Sequence, residues 1–165
     1  MTQTLTYYNQ NASSFFRNTV DVDMSVLHER FLSKVSAGGN VLDAGCGSGR
    51  DTKAFLSRGY RVTAFDASEE LVNLAKKHTG APVQLRSFLD VEEQAMYDGI
   101  WACASLLHVP HAEVPEVLQR LWNALKPGGA FYLSFKLGTT ERVQDGRHFT
   151  DVDESQLQEL SLIHI

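Results

Sequence analysis

The chain has 165 residues, one domain's worth. A domain of that size buries about 70% of the surface its unfolded chain exposes, so neither metal nor disulfide is needed to hold it. A composition of 43% hydrophobic and 21% charged residues excludes disordered and fibrous classes. Fifteen Lys and Arg against twenty Asp and Glu give a net charge of −5, which counts against a nucleic-acid or anionic-membrane partner.

No run approaches the ~18 apolar residues of a membrane span, and residues 1–11 lack the basic and apolar stretches of a signal peptide. Cys46 and Cys103 form no CxxC pair. A reduced, cytoplasmic chain is expected.

Phe15, Phe16 and Val20 make a short apolar patch within residues 11–20. Met24, Leu27, Phe31 and Val35 then recur at helical spacing, and Gly38-Gly39 closes that helix. Residues 1–38 read as a helical cap on a core spanning residues 39–159. Val41-Leu42-Asp43-Ala44 reads as a buried strand, residues 50–58 as a helix ended by Gly59, and residues 61–65 as a β-rich second strand. Ser68, with Glu69 and Glu70, supplies an N-cap and an acidic first turn for a helix that ends at Gly80.

Residues 82–86 and 99–104 are the third and fourth strands. Val114, Val117, Leu118, Leu121, Trp122 and Leu125 form the clearest amphipathic stripe, with Pro115 in its first turn. Lys126-Pro127-Gly128-Gly129 breaks that helix, and residues 130–135 are a fifth strand. Residues 139–148 are polar and long for a connection, a lid or a mobile loop. Strands alternating with helices imply an α/β, doubly wound, mostly parallel Rossmann-like sheet with helices on both faces.

Residues 160–165, Leu-Ser-Leu-Ile-His-Ile, arrive just as a helical pattern begins, and they match one reading frame of a common transposase sequencing adapter. They are expected to be a non-native tail on a C-terminally truncated gene. A genuine amphipathic turn is the alternative.

Asp43-Ala44-Gly45-Cys46-Gly47-Ser48-Gly49 follows the first strand and opens a helix. Glycines there let a ligand approach with no Cβ in the way. Asp66 ends the second strand, 21 residues after Gly45, where a doubly wound sheet places a carboxylate against a ribose. The pair points to a nucleoside-containing ligand. Arg50 stands where the dinucleotide fingerprint would have its third glycine, and Asp43 would repel a pyrophosphate. S-adenosylmethionine, with its cationic amino and sulfonium groups, suits an acidic mouth. No G-x-x-x-x-G-K-[ST] loop is present for a nucleoside triphosphate.

These motifs resemble the class I S-adenosylmethionine-dependent methyltransferases. The resemblance runs over residues 7–160, on VLDAGCGSGRDT (41–52), VTAFDAS (62–68), DGIWACASLLHV (98–109) and LKPGGAFYLSF (125–135). The N-terminal Tyr-Tyr-Asn and the closing Asp-Gly-Arg-His-Phe look like a bacterial small-molecule branch that includes tellurite-resistance-type enzymes. The resemblance implies that Asp43, Gly45, Gly47 and Gly49 line the methionine moiety, Asp66 binds the ribose and Ala67 lies against adenine. Leu89 and Asp90 would sit near the adenine amine, and Ser105 and Leu106 would face the methyl group. It also implies seven strands, of which five are found and the usual edge hairpin is missing.

His108 and His111 flank Pro110 past the fourth strand; His108 is the candidate catalytic base, against a reading as a polar wall. Tyr7 and Tyr8 are a lid or a packed N-terminal arm. Arg142, Arg147 and His148 would reach an anionic substrate or form a solvated face. The fourth strand ends in Ala104-Ser105-Leu106-Leu107, not the Asp/Asn-Pro-Pro-Tyr/Phe of amino-group methyltransferases, and no carboxylate set for a divalent ion is present. A small-molecule methyl acceptor is expected, with no metal, nucleic acid or membrane. The rivals are a nicotinamide-dependent oxidoreductase and a catalytically silent nucleoside-binding protein on the same fold.

Overall fold

The computed structural model describes residues 2–162. Of the 160–165 tail, residues 163–165 lie outside the described residues, and Leu160 packs against the core. The chain opens with α1 (Thr2–Thr19) and α2 (Ser25–Leu32). There follow β1 (Asn40–Ala44), α3 (Arg50–Ser57), β2 (Arg61–Asp66), α4 (Glu69–Thr79) and β3 (Val83–Leu85). The second half holds β4 (Tyr97–Ala102), α5 (Val114–Ala124), β5 (Leu125–Leu133), β6 (Glu141–Gln144), β7 (Arg147–Thr150) and α6 (Glu154–Leu162).

Five strands form one sheet in the order β3-β2-β1-β4-β5, every neighbour parallel. This is the expected doubly wound sheet. Parallel strands joined by helices are covered on both faces, so β1 and β4 alternate between two apolar environments. Leu42, Ala44, Ile100 and Ala102 point toward α5, while Val41 and Trp101 meet Phe31, Val35 and Phe55 of the opposite layer. Trp101 is wholly buried and stacked on Tyr132 at 4.0 Å. The strand order reverses between β1 and β4. A doubly wound sheet leaves its ligand crevice at that switch point, beyond the carboxyl ends of the strands.

Several local expectations are refined. The N-terminal helical cap opens with an 18-residue helix that takes in the expected apolar patch and packs against α4 and β7. Helix α5 ends at Ala124, just before Lys126-Pro127-Gly128-Gly129, but β5 begins at Leu125 and runs through that segment rather than starting at residue 130. Two steps along β4, from Tyr97 to Gly99, face five along β5, from Leu125 to Ala130, so the irregularity is absorbed within an edge strand. Trp122 lies on the exposed side of α5.

Residues 141–150 form an antiparallel hairpin, β6 on β7, turned by Asp145 and Gly146, both at positive φ. It stands apart from the main sheet. The segment expected as a loop is thus largely structured. Among the described helices none is long and apolar enough to cross a membrane.

Leu121 is fully buried in the cluster between the sheet and α5. Leu121→Ala is expected to destabilise the chain by about 2–5 kcal/mol, read as a lower urea midpoint at unchanged slope.

Candidate functional site

The turn after β1 lies where the sheet splits. Gly45 and Cys46 both donate backbone N–H bonds to the Phe65 carbonyl, at 3.0 and 2.9 Å, which draws the turn over the end of β2. Gly45 has φ +79°, and a Cβ there would lie 2.5 Å from Cβ of Ser105. Only glycine permits that approach. Ser105 donates through its hydroxyl to the Ala44 carbonyl at 2.7 Å, tying the end of β4 to the end of β1. Ala104, just before it, has a left-handed φ of 50°, a strained conformation at the cavity wall.

Asp66 organises the opposite wall. One carboxylate oxygen accepts from Gly47 N–H and the other from Ser68 N–H, both at 2.9 Å. Burial raises its pKa, and these backbone bonds oppose the shift. Ser68 caps α4 as expected, accepting from Leu71 N–H, and its hydroxyl donates to Asn9 of α1 at 2.6 Å. Helix α1 is thereby held over the crevice. The enclosed cavity measures about 470 Å³ and its wall is mostly apolar.

A second carboxylate lies under the turn. Asp51, in the first turn of α3, accepts from Trp101 Nε1–H at 2.9 Å, bonds His28 Nε2 at 2.8 Å and takes a two-pronged hydrogen bond from Arg50 at 2.8 Å. Burial opposes ionisation, but Arg50, His28 and Trp101 together hold the carboxyl far below the usual range. Asp43 has the opposite environment. It is buried, accepts from the Thr52 hydroxyl at 2.6 Å and is pushed up by desolvation and by the Asp51 charge.

Residues 41–129 match the family described as methyltransferase domain, over half of the chain. The chain belongs to this family. A ubiquinone biosynthesis O-methyltransferase of Xanthomonas axonopodis pv. citri (strain 306) is 34% identical over 105 residues, covering 59% of this chain and 43% of that protein. The corresponding protein of Xylella fastidiosa (strain 9a5c) is 34% identical over 105 residues, covering 59% and 42%. This chain thus spans less than half the length of the curated relatives it matches.

Among solved structures, the Burkholderia thailandensis 1,6-didemethyltoxoflavin-N1-methyltransferase, with 1,6-didemethyltoxoflavin and S-adenosylhomocysteine bound, superposes with a TM-score of 0.79. It covers 99% of this chain and 76% of its own at 24% identity, a likeness of fold. DhpI in complex with SAH superposes at 0.69, with 27% identity, over 98% of this chain and 85% of its own.

In this methyltransferase domain, Gly45, Gly47, Asp66, Ala67 and Ser105 come together on the cavity wall, and His108 lines it too. Five other expected residues lie off that wall. Asp43 is beneath the turn, and Gly49 faces Thr79 and Ala75 of α4. Leu106 is in the core and Leu89 packs against that same cluster. Asp90 turns outward, because its carboxylate accepts from the backbone and hydroxyl of Ser87 across a 3-10 turn. Ser87 and Phe88 take the wall position instead.

The residues that sequence reasoning missed are Asp51, Arg50 and Phe15. Trp101 carried the signal for Asp51, since the indole N–H of a buried tryptophan requires a buried acceptor. Phe15 packs over Gly47, where a Cβ would meet its ring at 3.1 Å. Tyr8 packs edge-on against Phe15 and bonds His108 Nε2 at 2.8 Å. His108 Nδ1 faces the His148 carbonyl at 2.7 Å, so Nδ1 carries the proton and Nε2 accepts from the Tyr8 hydroxyl.

Asp51→Ala is expected to cost about 3–5 kcal/mol in a denaturant melt, because it leaves three buried donors facing nothing. Burial lowers the His108 pKa to about 4, aided by Arg147 and opposed by the His148 bond. A depressed histidine binds its proton first in the unfolded chain. Its contribution to stability is therefore complete above the ordinary value near 6.5 and falls as pH drops from there toward about 4. Imidazole chemical shifts in NMR should show His108 still neutral at pH ~5.5; titration at the ordinary value would refute the assignment.

Proposed function

We propose that this chain binds S-adenosylmethionine over the β1–α3 turn and transfers its methyl group to a small-molecule acceptor. One observation carries the reading: at the switch point of the sheet, a turn with glycine at every second position and the Asp66 carboxylate face one mostly apolar cavity of about 470 Å³. Ligand sites commonly measure ~300–1,000 Å³, so the space suits a nucleoside joined to an amino acid.

The residues present fit that group. Each Asp66 oxygen uses one lone pair on a backbone N–H and keeps another for a sugar hydroxyl. Phe65, Leu71 and Phe88 offer apolar surface for a base beside Ala67. Asp51 stays ionised by the turn, its charge paired with that of Arg50. When bound, S-adenosylmethionine supplies a methyl group on a sulfonium, the bond's electron pair staying on sulfur as the acceptor takes the methyl. Ser105 holds the floor of the crevice, and α1 covers it against water.

A small acceptor is supported by the net charge of −5 and by relatives that act in ubiquinone biosynthesis. A cytoplasmic setting is supported by two free cysteines. The relatives named above do not bear on a tellurite-resistance-type branch.

S-adenosylhomocysteine at 100-fold over its Kd should raise Tm by ~5–10 °C, while NAD should not. Asp66→Ala should weaken S-adenosylhomocysteine binding by ~10–150-fold in calorimetry. Stabilisation by NAD alone would overturn the reading. Release of S-adenosylhomocysteine across a panel of acceptors separates an enzyme from a silent binding protein.

A further inference from the structure

Beyond the glycine turn the cavity continues along a row of rings. Phe15 lies over Gly47, Tyr8 follows at 5.2 Å and His108 at 5.4 Å from Tyr8, with the buried Phe149 behind that wall, 4.9 Å from His108. Arg147, the first residue of β7, lines the cavity at this end, its guanidinium 4.6 Å over the Tyr7 ring.

The hairpin offers three basic side chains, and two are engaged. Arg142 takes Asp151 through two hydrogen bonds, at 2.9 and 3.2 Å, and His148 Nε2 lies 3.1 Å from the Thr150 hydroxyl and 3.2 Å from Glu141. Arg147 is different. Its Nε is buried and has no hydrogen-bond partner among the described residues, and its pairing with the exposed Asp145 spans 3.8 Å. A buried guanidinium N–H without an acceptor is costly, and an oxyanion with two oxygens side by side is the partner that satisfies two of them together.

We propose that this end of the cavity is the acceptor subsite and takes a small oxyanion, a carboxylate or phosphonate, held by Arg147. The proposal rests on the methyltransferase reading above and adds the charge class of the acceptor. The ends of the cavity differ in how their charges are matched: at the turn Asp51 is paired with Arg50, and Arg86 with Glu93, whereas Arg147 at the hairpin has only Asp145, at 3.8 Å. An anionic acceptor sorts to the hairpin end accordingly.

A relay aims the guanidinium. The His148 carbonyl accepts from His108, whose free nitrogen accepts from the Tyr8 hydroxyl. The Tyr8 proton is thus committed, and the neighbouring Arg147 opposes the rise that burial imposes on the Tyr8 pKa. Tyr8 and His108 are positioning residues here. His108 is a weak base, pushed down to about 4 by burial, so an acceptor that brings its own charge fits better than one awaiting deprotonation.

The test is calorimetry on the chain saturated with S-adenosylhomocysteine, titrated with acetate, benzoate, phenylphosphonate and the neutral benzamide. Carboxylate binding without phosphonate binding, or the reverse, identifies the source of the oxyanion. At least one acid should bind ~10-fold more tightly than benzamide. Arg147→Gln should abolish that preference, Arg147→Lys should retain part of it, and S-adenosylhomocysteine affinity should stay within ~2-fold in both. Equal binding of acids and benzamide, or no binding of any acid, overturns the proposal without variants. So does an Arg147→Gln chain that keeps its acids but binds S-adenosylhomocysteine ~10-fold more weakly, which assigns Arg147 to the donor's own carboxylate. Failure of the unaltered chain to bind S-adenosylhomocysteine overturns the parent reading, and this one with it.

Discussion

The close approach of β1 and β4 at their carboxyl ends is the constraint on which the site depends. A parallel pair diverges at the switch point because its connections leave in opposite directions, and here the divergence is bridged only by Ser105 reaching the Ala44 carbonyl. That bridge requires position 45 to have no Cβ. The same turn then accepts its second support from Asp66, through Gly47 N–H. Floor and wall of the cavity are consequences of one bend in the chain.

Beneath that bend, two carboxylates eight residues apart in sequence, Asp43 and Asp51, are driven in opposite directions. Asp51 gathers donors from α2, α3 and β4, so its charge is stabilised despite burial. Asp43 has one hydroxyl donor and a charged neighbour, so its charge is opposed. Environment, rather than residue type, assigns each carboxyl its state. Asp51 is thereby kept as an anion paired with Arg50, and Asp43 is held toward its neutral form.

The roof is built from segments far apart in sequence. Asn9 reaches Ser68, His148 N–H reaches Thr4, and Tyr8 reaches His108, so α1 is sewn to the sheet edge and to the hairpin by single polar bonds. Each lies where a side chain with a fixed donor or acceptor meets a backbone or ring that needs one. The roof therefore shapes the cavity through directional bonds, while the sheet below is held by area: β1 and β4 bury apolar side chains on both faces.

The sequence by itself determined the alternation of strands and helices, the glycine turn and the carboxylate at the end of β2. These are local signals: a buried strand is an apolar run, and a bend open to a ligand is written in alternating glycines. It also carried the hairpin turn, in Asp145-Gly146, but polar flanks gave no period from which to read the strands. Only the tertiary structure decided which acids face the cavity. Asp90 follows β3 and Asp43 lies near the end of β1, both on the expected side of the sheet, yet one bonds Ser87 and the other Thr52. Only the tertiary structure, too, placed Asp51, Phe15, Tyr8 and Arg147 around one space, because direction and partnership of a side chain depend on groups brought near by folding, not on its neighbours along the chain.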